Sequence, residues 1–294
     1  MNLNRRFLII ENRTKLADFL EFELKNHGEV SRITLNPKES PDIGALSAAV
    51  TAFRPDALFN LCVLHDEPKS DENKKTVRTM NLDLPVALAH GLVGTEGLFV
   101  HLSDASVYDG SSSAAFFNEN NIVNPVTYVG KTRAIAEQKL LTSLTHILIL
   151  RCDEALICNE ENFAERILNA AGKRKGLKLR DDLLVSPISA RLCAKMIALS
   201  TVKTLAEPDL EGLYHLGGAK SDEYRCAEAV VETARRFSPE KKWAEVTLSA
   251  ASKTTHLSYP ALDCTAFQEA FAVILPDWKD SIAEAAVTAL MHRG

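Results

Sequence analysis

The sequence lacks several features that mark membrane, secreted or nucleic-acid-binding proteins. No run approaches the roughly 18 consecutive apolar residues that a membrane span requires. The N-terminal segment has neither the apolar core nor the small-residue cleavage site of a signal peptide, so we expect a cytoplasmic protein. The net charge is −5 with a pI near 5.9, which argues against a surface that binds nucleic acid through its phosphates.

Paired cysteines and metal-ligand motifs are also lacking. The six cysteines include no CxxC pair and have mostly apolar neighbours, which predicts buried reduced thiols rather than disulfides or a zinc site. They are Cys62, Cys152, Cys158, Cys193, Cys226 and Cys264. The acidic and histidine residues at 65–67 and 101–104 do not have the spacing of a recognised metal site, so we expect no metal. His101 is better explained as a core histidine than as part of a hydrolytic triad with Ser103 and Asp104, since neighbouring strand residues point to opposite faces.

The composition is that of an ordinary globular protein: of 294 residues, 46% are hydrophobic and 25% charged. The first half alternates short apolar runs with amphipathic ones. Strands are predicted at residues 7–10, 30–35, 57–63, 97–102 and 146–150, and helices at 16–25, 43–53, 80–91 and 127–141. Because parallel strands need crossover connections, this order predicts an α/β fold with a Rossmann-like, doubly wound parallel sheet.

The alternation weakens in the second half of the chain. Helices are predicted at residues 164–171, 190–199, 224–237 and 281–291, and a strand at 212–218. We therefore divide the chain into a first domain, residues 1–150, and a smaller C-terminal α+β portion, residues 151–294, interleaved with the first. The charged stretch at 69–75 and the basic cluster at 173–175 are predicted to be solvated.

An ordered set of motifs spans nearly the whole chain. The segments are Arg54–Asn60, Val100–Gly110, Asn124–Glu137 with Gly130-Lys131-Thr132, Arg151, Asn162-Phe163, Pro187, Gly212–Leu216 and Leu275–Trp278. Together they resemble the extended short-chain dehydrogenase/reductase superfamily and, more closely, the dTDP-4-dehydrorhamnose reductase family. A relative in that group is the regulatory beta subunit of methionine adenosyltransferase. The resemblance implies an NAD(P)-binding-type first domain and a C-terminal portion of the substrate-binding type.

The cofactor motif of that family is degenerate here. The family follows its first strand with G-x-x-G-x-x-G, whose glycines let the backbone approach the cofactor diphosphate. These positions fall on Glu11, Thr14 and Ala17, and Glu11 places a negative charge where the diphosphate would lie. Arg13 and Lys15 are the residues that could compensate, but we expect no cofactor. If NAD(P)H does bind, the candidate contacts are Asn12, Arg13, Thr14, Asn60, Ser103 and Arg133.

The catalytic motif has changed as well. The family uses a Ser or Thr and a Y-x-x-x-K helix, in which the tyrosine is the general acid and the lysine lowers its pKa. The aligned positions are Asp104 for the Ser/Thr, Val129 for the tyrosine and Arg133 for the lysine, so we expect no catalytic residue. An ionised aspartate cannot donate the hydrogen bond and would repel the developing oxyanion. A shifted register would instead make Tyr128 and Lys131 a variant dyad, although a slip of one residue rotates a side chain by roughly 100°.

The substrate side departs from the family too. The loop before Pro187 is apolar at 183–185, and the family's C-terminal Arg-Pro motif falls near 256–260, where no arginine stands. We predict a dehydrogenase-fold protein without reductase activity that binds a ligand or regulates a partner. The ligand would be a sugar nucleotide or another small molecule, and the partner a second protein or further copies of this chain. The alternatives are an active NAD(P)H-dependent sugar-nucleotide reductase with atypical site residues and a non-redox activity in the same cleft.

Overall fold

A six-stranded parallel sheet forms the centre of the computed structural model, which describes residues 4–36, 39–62, 64–109, 116–144, 146–152, 162–173, 176–181, 183–248 and 261–291. The strands are β1 (Arg5–Glu11), β2 (Gly28–Thr34), β3 (Ala57–Asn60), β4 (Leu98–Asp104), β5 (Ile147–Cys152), β6 (Leu177–Leu179), β7 (Leu184–Val185), β8 (Gly212–Leu216), β9 (Ser221–Asp222) and β10 (Val246–Leu248). The order in the sheet is β2-β1-β3-β4-β5-β8, and each neighbouring pair is parallel. The predicted α/β fold with a doubly wound parallel sheet is confirmed.

Helices cover both faces of this sheet. They are α1 (Lys15–Leu24), α2 (Ile43–Phe53), α3 (Asp71–Arg78), α4 (Leu84–His90), α5 (Tyr128–Ser143), α6 (Phe163–Gly172), α7 (Ala190–Thr204), α8 (Glu223–Phe237), α9 (Thr265–Phe271) and α10 (Trp278–Met291). In β1, Phe7 and Ile9 pack with α1, α7 and α9, while Leu8 and Ile10 pack with α2, α4 and α5. Burial on both faces explains why the strands read as continuous apolar runs.

A second, smaller core lies in the C-terminal half. It is formed by α6, α8 and α10, with the buried Trp243 among them. Beside it, β6 pairs with β10 in parallel and β7 pairs with β9 in antiparallel fashion. The second half also contributes β8 to the central sheet and α7 to the layer against α1. The predicted boundary at residue 150 stays a prediction.

Some elements differ from the predictions. Helix α3 was not predicted because Val77 is its one buried residue, so the sequence shows no apolar stripe there. The helix is stabilised by the Ser70 cap, by acidic residues in its first turn and by basic residues in its last turn. The helix continues through a π-helical turn, Thr79–Asp83, into α4, so the predicted helix at 80–91 belongs to a longer one. Strand β3 ends at Asn60, whose side chain accepts a hydrogen bond from the Cys62 amide at 3.2 Å. The short α9, β6, β7, β9 and β10 were also not predicted.

Five of the six cysteines are buried free thiols, as predicted, and Cys158 lies outside the described residues. In the part of the chain that the structure describes, no helix is both long and apolar enough to cross a membrane.

The topology predicts a crevice at the edge of the sheet that the carboxyl ends of the strands form. From the adjacent β1 and β3, the chain continues in opposite directions, to β2 on one side and to β4 on the other. In open α/β sheets, ligands bind outside the carboxyl ends of the strands at such a switch point. The turn after β1, the end of β3 and the segment after β4 all meet at this edge.

Candidate functional site

The turn between β1 and α1 is closed by the side chain of Glu11. Its carboxylate is fully buried and accepts hydrogen bonds from the backbone amides of Arg13 and Thr14, the latter at 3.1 Å. The Thr14 hydroxyl caps α1 by accepting from the Ala17 amide at 3.3 Å. The amides of Arg13, Thr14 and Ala17 are therefore already paired with oxygen atoms of the chain itself.

The second oxygen of Glu11 is held from strand β2. It accepts hydrogen bonds from the Arg32 Nε at 3.1 Å and from the hydroxyl of Thr34. The same guanidinium also contacts the carboxylates of Asp18, at 2.6 Å, and Glu21, at 3.3 Å. Three carboxylates thus surround the charge of Arg32.

The other cofactor candidates of this turn take different directions. Asn12 is buried, whereas Arg13 is exposed and has a φ of 66°, a left-handed conformation that favours glycine. The Lys15 ammonium lies 3.7 Å from Glu165 at the start of α6. Asn60 uses its side-chain amide to bond His101 Nδ1 at 3.1 Å. Whether any of them contacts a cofactor stays a prediction.

The residues predicted to stand at the Ser/Thr and lysine positions, Asp104 and Arg133, form a buried ion pair. Asp104 ends β4, where its Oδ1 accepts from the Ser106 amide at 2.7 Å and its Oδ2 pairs with Arg133 of α5. Arg133 is 1% exposed and Asp104 is 3% exposed. Val129, one helical turn before Arg133, is buried on the same face of α5. The charges at these positions therefore neutralise each other.

The Nη1 and Nη2 atoms of Arg133 make further hydrogen bonds. It donates to the Ser106 hydroxyl at 3.1 Å, to the Leu64 carbonyl at 3.0 Å and to His65 Nδ1 at 2.8 Å. Because Nδ1 of His65 accepts, a neutral His65 carries its proton on Nε2. Arginine keeps its proton at any ordinary pH, so this side chain holds charge in place and does not deliver a proton.

The start of α5 is fixed from two sides. The Tyr128 and Val129 amides donate to the Glu67 carboxylate at 3.2 and 2.9 Å, and the Thr127 hydroxyl accepts from the Gly130 amide at 2.9 Å. A Cβ at Gly130 would lie 2.1 Å from the Ser106 carbonyl oxygen, so α5 approaches the short 3₁₀ turn Ala105–Val107 as closely as a glycine permits. These contacts set the rotation of α5.

That rotation separates the alternative dyad from the buried pair. Tyr128 is half-buried, Lys131 is exposed and Arg133 is buried. Residues two positions apart on a helix differ by roughly 200° in direction, so Lys131 points away from the Asp104–Arg133 pair. A catalytic role for Tyr128 and Lys131 stays a prediction.

Comparison with known proteins identifies the family. The family model described as the RmlD substrate binding domain matches residues 5–291. The chain belongs to this family. The dTDP-4-dehydrorhamnose reductase of Escherichia coli (strain K12) is 25% identical over 244 residues, covering 80% of each chain. The methionine adenosyltransferase 2 subunit beta of Xenopus tropicalis is 22% identical over 240 residues, covering 78% of this chain and 69% of the relative. The resemblance predicted from the motifs is confirmed.

Solved structures of RmlD-type enzymes have the same fold. A dTDP-4-dehydrorhamnose reductase from Clostridium acetobutylicum superposes with a TM-score of 0.80 at 20% identity, covering 97% of this chain and 99% of that one. The enzyme from Bacillus anthracis, solved in complex with NADP, gives a TM-score of 0.78 at 14% identity, with the same coverage. The structural neighbours thus include a protein that holds NADP.

Two buried polar atoms of this RmlD-family chain belong to β4, the strand that Asp104 ends. Within its described residues, the Nε2 of His101 and the hydroxyl of Ser103 have no hydrogen-bond partner. Burial, with the nearby charge of Arg133, lowers the pKa of His101 to about 3. His101 is thus a neutral core histidine, but only its Nδ1 is paired, so the prediction of a satisfied core residue holds for one ring nitrogen.

A second buried network was missed by sequence reasoning. Arg151 of β5 contacts both carboxylate oxygens of Glu137 in α5, at 3.0 and 2.6 Å, and donates to the Tyr108 hydroxyl at 2.6 Å. That hydroxyl lies 2.9 Å from Nε2 of His215 in β8, whose Nδ1 bonds the Phe117 carbonyl at 2.9 Å. In the sequence, Glu137 and Arg151 were noted only as family motif residues. The signal that could have revealed the network was His215, a histidine inside the apolar strand Gly212–Leu216.

The network is held in one protonation state. Burial raises the pKa of Tyr108 to about 12, and burial together with Arg151 lowers the pKa of His215 to about 4. Tyr108 and His215 are therefore both neutral near pH 7, and the ionic charges are those of Arg151 and Glu137. The network joins α5, β5 and β8, so it stabilises the frame on which the site is built.

Two further segments were predicted to lie on the substrate side, residues 183–185 and 256–260. Leu184 and Val185 form β7 and are half-buried, with Val185 packed against the C-terminal core. The segment near 256–260, where the family's Arg-Pro motif falls, lies outside the described residues. Over the described ranges, no group of three or more His, Cys, Asp or Glu side chains could hold a metal ion.

Proposed function

We propose that this RmlD-family chain is a binding or regulatory protein that does not reduce dTDP-4-dehydrorhamnose. The observation that carries the proposal is the buried ion pair of Asp104 and Arg133. Ketone reduction needs a proton donor beside the carbonyl oxygen where negative charge develops. Val129 has no proton to give, Arg133 keeps its proton, and the Asp104 carboxylate, paired with Arg133, has none to donate.

The β1–α1 turn supports the same proposal. Hydride transfer requires a bound nicotinamide cofactor, and in this chain Glu11 already uses the turn amides on which a cofactor diphosphate would depend. We expect NADH and NADPH to bind weakly or not at all. Calorimetry with both cofactors tests this directly, and a dissociation constant in the low micromolar range or below would refute it.

Outside the chemical centre, the described residues keep the fold of the RmlD-type structures. The Glu137–Arg151 pair holds α5 against β5 of the central sheet. One relative is named as a subunit of an enzyme, the methionine adenosyltransferase 2 subunit beta. We therefore propose that the crevice serves to bind a sugar nucleotide or another small ligand, or that the chain binds a protein partner.

A second candidate is an active NAD(P)H-dependent sugar-nucleotide reductase of the dTDP-4-dehydrorhamnose type. It is favoured by the reductases among the relatives and by the NADP complex of a structural neighbour. In this chain the acid would have to be Tyr128, which is half-buried at the start of α5, with Lys131 as its partner.

Turnover separates the two candidates. The assay follows NADPH and NADH oxidation with dTDP-4-dehydrorhamnose for the wild type and for the variant Asp104→Thr/Val129→Tyr/Arg133→Lys. A positioned general acid is worth about 10²–10⁴-fold, and groups that act as a unit are non-additive, so single reversions should return almost nothing. We expect both proteins to be inactive, the triple variant because Glu11 still occupies the turn. Robust wild-type turnover that Tyr128→Phe abolishes would establish the second candidate.

A further inference from the structure

We infer that Glu11 is a built-in anion, which occupies the place of a ligand diphosphate in the crevice and thereby excludes dinucleotides. The inference rests on the proposed function, because it explains how a chain can keep the crevice of a dinucleotide-binding fold without taking the cofactor. It also makes Glu11 the residue that determines which ligands the crevice accepts.

The first argument is the geometry of the hydrogen bonds. In dinucleotide-binding folds, the amides at the N-terminus of the helix after β1 stabilise the negative charge of the diphosphate. Here one carboxylate oxygen of Glu11 accepts from the Arg13 and Thr14 amides, and the side chain has no solvent exposure. These two donors, in the turn immediately before α1, are thus filled by an anion that is covalently part of the chain.

The second argument is the charge around the turn. Glu11, Asp18 and Glu21 contribute three carboxylates against two cations, the guanidinium of Arg32 and the ammonium of Lys25, which pairs with Glu21. A diphosphate would add negative charge to a group that is already net negative. The nearby ammonium of Lys15 lies against Glu165, so it is paired elsewhere.

The third argument distinguishes a built-in anion from a simple structural cap. Removing either kind of group should destabilise the turn, because buried amides lose their acceptor. Only a residue that stands in for a diphosphate leaves behind a site that an added diphosphate can fill. Rescue by inorganic pyrophosphate is therefore the distinguishing property, and it involves no nicotinamide and no hydride.

The experiment compares Glu11→Ala with the wild type and with Glu21→Ala. Glu21 shares Arg32 with Glu11 but lies in the second half of α1, where it also pairs with Lys25, so Glu21→Ala is the matched control. Thermal unfolding and calorimetry are measured with and without inorganic pyrophosphate. In parallel, the amide NMR signals of Arg13 and Thr14 report where the anion binds.

We expect Glu11→Ala to melt at a lower temperature than the wild type and to be restabilised by pyrophosphate. Its affinity for pyrophosphate should exceed that of the wild type by roughly tenfold, the scale of a charge at a helix N-terminus. The amide signals of Arg13 and Thr14 should shift only in this variant. If Glu11→Ala does not fold, Glu11→Ser, whose side chain is too short to fill the site, takes its place.

Two results would overturn the inference: pyrophosphate that shifts the Arg13 and Thr14 signals of the wild type, or a folded Glu11→Ala variant with no gain in binding. An equal gain in Glu21→Ala would do the same, because the effect would then come from net charge alone. NADPH turnover by the wild type would instead contradict the proposed function, so the two failures are distinguishable.

Discussion

Substitution of Asp104 by asparagine should be among the most destabilising single changes at this site. Asparagine has nearly the same shape and can still accept from the Ser106 amide, so the change removes chiefly the charge. Arg133 would then remain as a buried cation whose hydrogen bonds go to neutral acceptors, at Ser106, Leu64 and His65. The folded state loses the anion that makes burial of this guanidinium tolerable.

The expected magnitude follows from the burial of both partners, which are 1% and 3% exposed. Two unit charges about 4 Å apart interact by about 4 kcal/mol at an effective dielectric constant of ~20. Breaking a buried pair by removing one partner costs about 3–5 kcal/mol in measured cases. For a chain of this length, such a loss lowers the melting temperature by about 10 °C.

Urea unfolding of four proteins measures the effect: wild type, Asp104→Asn, Arg133→Met and the double variant. Each single change should cost about 3 kcal/mol or more, and the double variant should cost clearly less than their sum, because it leaves no unpaired charge. Lys25→Met is the matched control. It breaks the ion pair with Glu21, 2.7 Å long but largely exposed, and should cost about 0.5 kcal/mol or less.

If Asp104→Asn lowered the free energy of unfolding by less than about 1 kcal/mol, this reasoning would be refuted, because a buried guanidinium without its anion destabilises the fold by more than that. Strict additivity in the double variant would also refute it, since the two charges would then not depend on each other.

Two further predictions concern the frame of the site. Gly130→Ala places a Cβ 2.1 Å from the Ser106 carbonyl oxygen and should lower the free energy of unfolding by about 1–3 kcal/mol, measured by thermal unfolding. The control Gly176→Ala, whose Cβ would have nothing within 4 Å, should leave stability nearly unchanged. Equal effects would contradict the close approach of α5. Acid should destabilise the fold through His101 and His215, whose folded pKa values of about 3 and about 4 lie below the unfolded value near 6.5. The unfolded chain takes up these protons first, so stability present above pH 6.5 is lost as pH falls toward the folded values, by about 2 kcal/mol per histidine at pH 5. Replacing His215 by Gln should flatten the pH dependence of unfolding, and an unchanged slope would contradict its buried neutral state.

The sheet and most of its helices could be predicted because their signals are local. Ile43–Phe53 was predicted with its observed bounds, since an Asp cap precedes an apolar, alanine-rich run. Helix α3 could not be found in this way, because its eight residues are almost all polar and its capping and end charges stabilise it without an apolar stripe. Short strands such as β6 and β10 depend on a partner about 70 residues away and leave no periodic pattern.

The sequence indicated candidate site residues but not their contacts. The motif register identified Asp104, Val129 and Arg133, and the charge of Glu11 was noted from its position. The ion pair of Asp104 with Arg133 and the bonds from Arg32 to Glu11 join residues far apart in the chain. Such pairs depend on the register between strands and on the rotation of a helix, which residue types alone do not fix.

The central claim is that this chain lacks the proton donor and the cofactor-binding turn of an RmlD-type reductase. Deuteride transfer in a single turnover tests this claim most directly. The protein is mixed in excess over dTDP-4-dehydrorhamnose and NADPH carrying deuterium at the transferred position, so product release cannot limit the signal. Mass spectrometry then measures deuterium in the sugar nucleotide. We predict no label above the protein-free control. Labelled product from the wild type, lost in Tyr128→Phe, would contradict the account.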